Sequence, residues 1–178
     1  MWLVLTIFIL MVHTLQSTTG TIYYSTIKQV RTALDSPPII LSNGTVGSST
    51  VYLNGTSANV NIVTQNQTDF NYVLKITENH GSSWKIRLKA YNQSNIGRLI
   101  NCSIYIYNGS NSIQIVILNG AYSQQIGAWY DLFASDSEYV WVHVERSYAG
   151  TSYVYAYLEV SIPNTATYAQ YVVTFVIT

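Results

Sequence analysis

Charge is scarce in this chain. Only 9% of its 178 residues are Asp, Glu, Lys or Arg, eight basic and eight acidic, against about 25% in ordinary globular proteins. Such a surface offers no basic patch to a polyanion, so nucleic-acid binding is excluded. Its solubility must come from Ser, Thr and Asn, and from any sugars they carry. Cysteine is nearly absent too. Cys102 stands alone, which rules out an intramolecular disulfide and any cysteine-based metal site. A lone Cys of this kind reads as a small buried hydrophobe. His13, His80 and His143 are scattered, with no His-x-x-x-His pair. The carboxylates Asp35, Asp69, Glu78, Asp131, Asp136, Glu138, Glu145 and Glu159 are too dispersed in sequence to nominate an acid–base pair. Neither a nucleophile elbow nor a phosphate loop is present. The expectation is a protein without catalytic activity, metal or cofactor.

What the chain does have begins at its N-terminus. Met1 to Leu15 is apolar except for Thr6, His13 and Thr14, and the first charge arrives at Lys28. Beyond it, Ile22, Tyr23, Ile27, Val30, Ala33 and Leu34 recur at helical spacing, with Lys28, Gln29, Arg31 and Thr32 on the other side. This pattern predicts one long hydrophobic helix over Met1–Leu34, weakened at Thr18, Thr19, Gly20 and Thr21 and stopped by Asp35-Ser36-Pro37-Pro38. At 1.5 Å per residue it would reach roughly 50 Å, too far for a small domain to cover. A simple membrane anchor fits poorly. A span needs about 20 apolar residues, and the positive-inside rule would put the remainder of the chain in the cytoplasm. A basic leader removed ahead of Met1 during export would resolve that conflict, leaving the apolar end as a working part of the mature protein.

After Pro38 the pattern changes to short alternating runs. Strands are predicted near Ala58–Thr64, Phe70–Thr77, Trp84–Tyr91, Asn101–Tyr107, Ile113–Leu118, Glu138–Arg146, Ser152–Val160 and Tyr168–Ile177, with a weaker one at Ser49–Leu53. Strands at this spacing suggest an immunoglobulin-like antiparallel β-sandwich. The expected class is therefore α+β: residues 1–35 as a hydrophobic helix and residues 36–178 as an outer sandwich domain.

Six Asn-x-Ser/Thr acceptors occur, at Asn43, Asn54, Asn66, Asn92, Asn101 and Asn108, where chance would give on the order of three. Five fall at predicted turns, where a sugar can be carried; Asn101 begins a strand. The sixteen Tyr and four Trp are unusual beside so few charges. Tyr153, Tyr155 and Tyr157 share one face of a strand, with Val154, Ala156 and Leu158 on the other. Tyr139, Trp141 and His143 divide from Val140, Val142 and Val144 in the same way. One face should build the core. The other should make cross-strand and subunit contacts, with a sugar-binding platform as the alternative. Lys85, Arg87 and Lys89 read as the solvated face of a strand.

This layout resembles the archaeal pilins and archaellins of the type IV filament superfamily, and the likeness covers the whole chain. Its carriers are Trp2, Leu3, Val4, Leu5, Ile7, Phe8, Ile9, Leu10, Met11 and Val12, continued through Leu15, Ile22, Tyr23, Ile27, Val30 and Leu34. The resemblance implies that these residues pack between copies in a filament core while a glycosylated β-sandwich faces outward. Leu5 stands where bacterial relatives commonly carry Glu. Implied partners are the chain itself in a helical polymer, the membrane before assembly, and surface glycans or other cells. An extracellular pilus is the favoured reading. The alternatives are an archaellum subunit, a donor-strand filament subunit with residues 1–20 as signal peptide, and a membrane-anchored sugar-binding module.

Overall fold

The computed structural model describes residues 36–45, 48–52, 55–65, 68–107, 112–161 and 168–178. The strands among them are β1 Ile39–Asn43, β2 Ser48–Tyr52, β3 Ser57–Ile62, β4 Asp69–Glu78, β5 Trp84–Ser94, β6 Leu99–Tyr107, β7 Ser112–Leu118, β8 Ala121–Gln124, β9 Tyr130–Leu132, β10 Ser137–Arg146, β11 Ser152–Ser161 and β12 Tyr168–Ile177. A 3-10 turn, Ile96–Arg98, links β5 to β6.

The α+β expectation is corrected by these elements. Strand makes up 71% of the described residues and no α-helix occurs among them, so the described part of the chain is all-β. The alternation of apolar and polar residues after Pro38 gives strand rather than helix there. The stretch Met1–Leu34 and its filament-core residues, Trp2 to Leu34, lie outside the described residues.

The strands form two six-stranded sheets. Sheet A runs β1-β4-β10-β6-β7-β8 and sheet B runs β2-β3-β12-β11-β5-β9. Sheet B departs from the expected antiparallel pattern, because β3 lies parallel to β12, with Ser57–Ile62 beside Val172–Ile177. One core fills the space between the sheets. It is built from the inward set of each strand, including Ile76, Leu88, Ile104, Val142, Leu158 and Phe175, all essentially inaccessible to water. Period-two alternation dictates this, since successive side chains of a strand point to opposite faces. Burying each such side chain is worth about 1.5–3 kcal/mol. Tyr171, also buried, accepts a hydrogen bond from the Ile39 amide at 3.3 Å and so ties β12 to β1 across the sandwich. Cys102 sits in the core on β6, where burial pushes its thiol up to about 12.

The turn from β4 to β5 is organised by a carboxylate. Glu78 ends β4 pointing inward and is buried. Its Oε1 accepts hydrogen bonds from the amides of His80 (2.6 Å) and Ser82 (3.2 Å) and from Trp84 Nε1 (3.0 Å). Its Oε2 accepts from the amides of Gly81 (2.8 Å) and of Ser135 (3.0 Å), which belongs to the β9–β10 loop. Burial alone would raise its pKa; the N–H donors overcome that and hold it at about 2. The His80 ring rests on Trp84 and its Nε2 lies 2.8 Å from the Ser36 carbonyl oxygen.

Candidate functional site

The two outward faces of the sandwich carry the aromatic residues. On sheet A, β10 presents Tyr139, Trp141, His143 and Glu145 outward, while Val140, Val142 and Val144 enter the core. Tyr107 of β6 stacks on Trp141 with ring centres 3.9 Å apart, and Tyr105 lies 6.2 Å away. The other flank is supplied by a bulge. Where β10 spends one residue between Val140 and Val142, β4 spends three between Leu74 and Phe70. Tyr72, inside that bulge, has φ +58°, a left-handed conformation that bulky residues rarely adopt. The result re-aims a side chain, as bulges commonly do. The Tyr72 ring meets Tyr139 at 5.0 Å and Trp141 at 5.1 Å, both edge-on. Gly44 permits the bulge, since a Cβ there would sit 1.8 Å from the Tyr72 carbonyl oxygen.

These rings form one contiguous cluster, stacked at Tyr107–Trp141 and edge-on at Tyr72. Exposed apolar side chains extend the surface, with Leu118 on β7 and Ile100 on β6. The Trp141 Nε1–H is buried and has no acceptor among the described residues. Charges lie at the ends of the face. Asp69 Oδ1 is 2.8 Å from His143 Nδ1, and Glu145 Oε1 is 3.5 Å from His143 Nε2. The His143 contact lowers the pKa of Asp69, and burial together with Asp69 raises that of Tyr105. Lys75 lies beyond the aromatic rows, opposite Tyr139. An open groove of about 400 Å3 adjoins the acidic end, lined by Thr64, Gln65, Thr68, Glu145, Arg146 and Tyr148 among others.

Sheet B carries a tyrosine row on β11 and a charged one on β5. Tyr157 stacks on Tyr91 at 4.2 Å, and Tyr153 on Tyr155 at 6.1 Å. The expectation that Arg87 and Lys89 are simply solvated is corrected. Glu159 sits between their strand and β12 on the outer face, yet it is fully buried. Arg87 Nε donates to its Oε2 at 2.7 Å, Gln170 Nε2 to its Oε1 at 3.0 Å, and Lys89 Nζ lies 3.8 Å away. Trp129 closes the arrangement, with the Arg87 guanidinium 4.3 Å from its ring centre. Lys85 pairs instead with Asp131 at 3.1 Å.

Of the acceptor asparagines, Asn43 is exposed at the end of β1 and Asn92 is exposed on β5. Asn101 is half-buried inside β6, flanked in the ladder by Glu145 and Leu118. Asn54, Asn66 and Asn108 lie outside the described residues. His80, Asp131 and Glu138 each have a separate setting, Glu138 accepting from the Tyr130 hydroxyl at 3.0 Å. Sequence reading foresaw the aromatic faces from their alternation. It missed the Asp69–His143 contact, the Glu159 cluster and the Tyr72 bulge. The first two join residues more than 70 positions apart, and no local pattern marks the third.

No family model matches the sequence, and no curated protein matches it. Solved structures to which the fold is similar include the N-terminal domain of PorA, at 10% identity over 78% of this chain and 95% of that one, with a TM-score of 0.46. The CooA pilin subunit from enterotoxigenic Escherichia coli is similar at 10% identity over 80% of this chain and 98% of that one, with a TM-score of 0.39. A family 123 glycoside hydrolase from Clostridium perfringens is similar at 12% identity and a TM-score of 0.40; the match covers 79% of this chain but only 27% of the hydrolase.

Proposed function

We propose that this protein is a structural subunit of an extracellular filament or adhesive layer, working by packing and display rather than by catalysis. The observation that carries the reading is the outer face of sheet A, where Trp141 and four tyrosines already pack against one another and are still partly exposed. Aromatic side chains fixed before contact lose little freedom on association, and they dominate binding energy at protein interfaces. The apolar stretch Met1–Leu15 is a second surface that water disfavours. In the finer form of the proposal that stretch packs among copies, as in type IV pili, after residence in the membrane. A sugar platform is disfavoured, because one face of Trp141 and one of Tyr107 are turned to each other.

Immunogold electron microscopy of material sheared from intact source cells tests the reading. Label along filaments or on an outer layer is expected; label confined to the cytoplasm would overturn it. The low charge and exposed asparagines also favour a glycoprotein. Asn43 and Asn92 are expected to carry sugars. Asn101 is expected to be bare, since its strand is paired on both sides and its side chain is half-buried. Glycopeptide mass spectrometry of native protein reads all three positions, and a sugar on Asn101 with none on Asn92 would reverse the assignment.

A further inference from the structure

We propose that the outer face of sheet A is a homophilic contact, in which two copies of this chain pair face to face about a two-fold axis through the Tyr72–Trp141 cluster. The pairing goes beyond the filament reading and rests on the same aromatic face, to which it adds the charges at either end. A two-fold interface must be self-complementary, with residue i of one copy against residue j of the other and j against i. The face meets that condition in its layout. Its centre is the aromatic cluster of Tyr72, Tyr105, Tyr107, Tyr139 and Trp141. Its charges are polarised along the strands. Lys75 lies at one end, opposite Tyr139, and Asp69 lies at the other, opposite His143, with Glu145 two residues further along β10.

Rotation by half a turn about an axis lying in the interface and perpendicular to the strands turns the two faces toward each other and exchanges those ends. Lys75 of each copy then approaches Asp69 and Glu145 of the second copy, and the two aromatic centres coincide. Stacking the copies in the same direction would instead set acid against acid and lysine against lysine, which opposes association. Lys75 makes no ion pair with any described residue, so on the lysine side no existing bridge has to break. Asn101 sits beside Glu145 on this face. A sugar there would hold the copies apart, so paired copies carry none at that position.

The test is zero-length carbodiimide cross-linking of the full chain, followed by peptide mass spectrometry. Within one copy Lys75 and Glu145 cannot be joined, because Glu145 lies six residues along β10 from the partner of Lys75, about 20 Å at the rise of a strand. A cross-link between positions 75 and 145 therefore reports two copies. The wild-type chain is expected to give it. Lys75→Glu and Glu145→Lys place like charges at both positions, and each variant alone should lose most of its dimer by sedimentation velocity while keeping its circular dichroism. Mixing the two variants should restore the dimer and the 75–145 cross-link, now only between unlike chains. A wild-type chain that associates without that cross-link, a wild-type chain that stays monomeric, or a mixture that fails to recover would each overturn the pairing. None of these outcomes moves the label seen by electron microscopy, so the two readings fail separately.

Discussion

Replacing Glu78 with Gln is expected to lower the melting temperature by about 10 °C at neutral pH. The carboxylate accepts five N–H donors across two loops, and its pKa falls from 4.5 to about 2. A displacement of that size corresponds to about 3 kcal/mol, and 1 kcal/mol moves the melting point of a domain this large by about 2–4 °C. The amide keeps the shape but turns an NH2 group toward donors. The pH dependence carries a sign. Because the folded pKa is depressed, the contribution is complete above about pH 4.5 and disappears as pH falls toward 2. Glu138, whose pKa burial raises, acts in the opposite direction and offsets part of the slope. Thermal unfolding from pH 7 to pH 2 should show a steep acid limb in the wild type and a shallower one in Glu78→Gln. Equal melting points would show that the loops hold without the charge.

The second large effect is expected at Arg87. Glu159 has no exposure and depends on Arg87 for its shortest contact. Removing one partner of a buried ion pair leaves an uncompensated charge, at a cost of about 3–5 kcal/mol. Arg87→Met should approach the low end of that range, since Lys89 and Gln170 remain near the carboxylate. The double variant Arg87→Met with Glu159→Met should recover most of the loss, because the charge that needed a partner is then gone. Urea unfolding of the wild type, both single variants and the double variant closes the cycle. Additive losses would mean that the pair is uncoupled and that Trp129 covers the site for other reasons.

Alternation made the longer strands legible. The run Trp84 to Ala90 places Trp84, Ile86, Leu88 and Ala90 in the core and the cations outside, as their sequence order requires. Each predicted strand from Ala58 onward has a counterpart in the structure, with ends displaced by a few residues. The shortest strands, β8 and β9, escaped notice because three or four residues cannot establish a period. β1 was missed as well: Pro37 and Pro38 read only as a stop, and the five residues after them are too few to establish a period. The N-terminal apolar run invited a helix because spacing at 3.6 was the only signal available there, and the described residues contain none. The clusters around Glu78, Glu159 and His143 depend on partners brought close by sheet topology. In the sequence each had looked like an isolated charge.

The position of β12 has a consequence for how the chain comes to be folded. It is the last of the described strands, yet it lies inside sheet B, paired with β11 on one side and with β3 on the other. A chain emerging from the ribosome can pair β11 with β5, but it cannot join β3 to that sheet until residue 177 is available. Pairing of such long sequence separation is slow, and until it forms the neighbouring strands keep open edges. The sandwich therefore stays short of completion until β12 is in place.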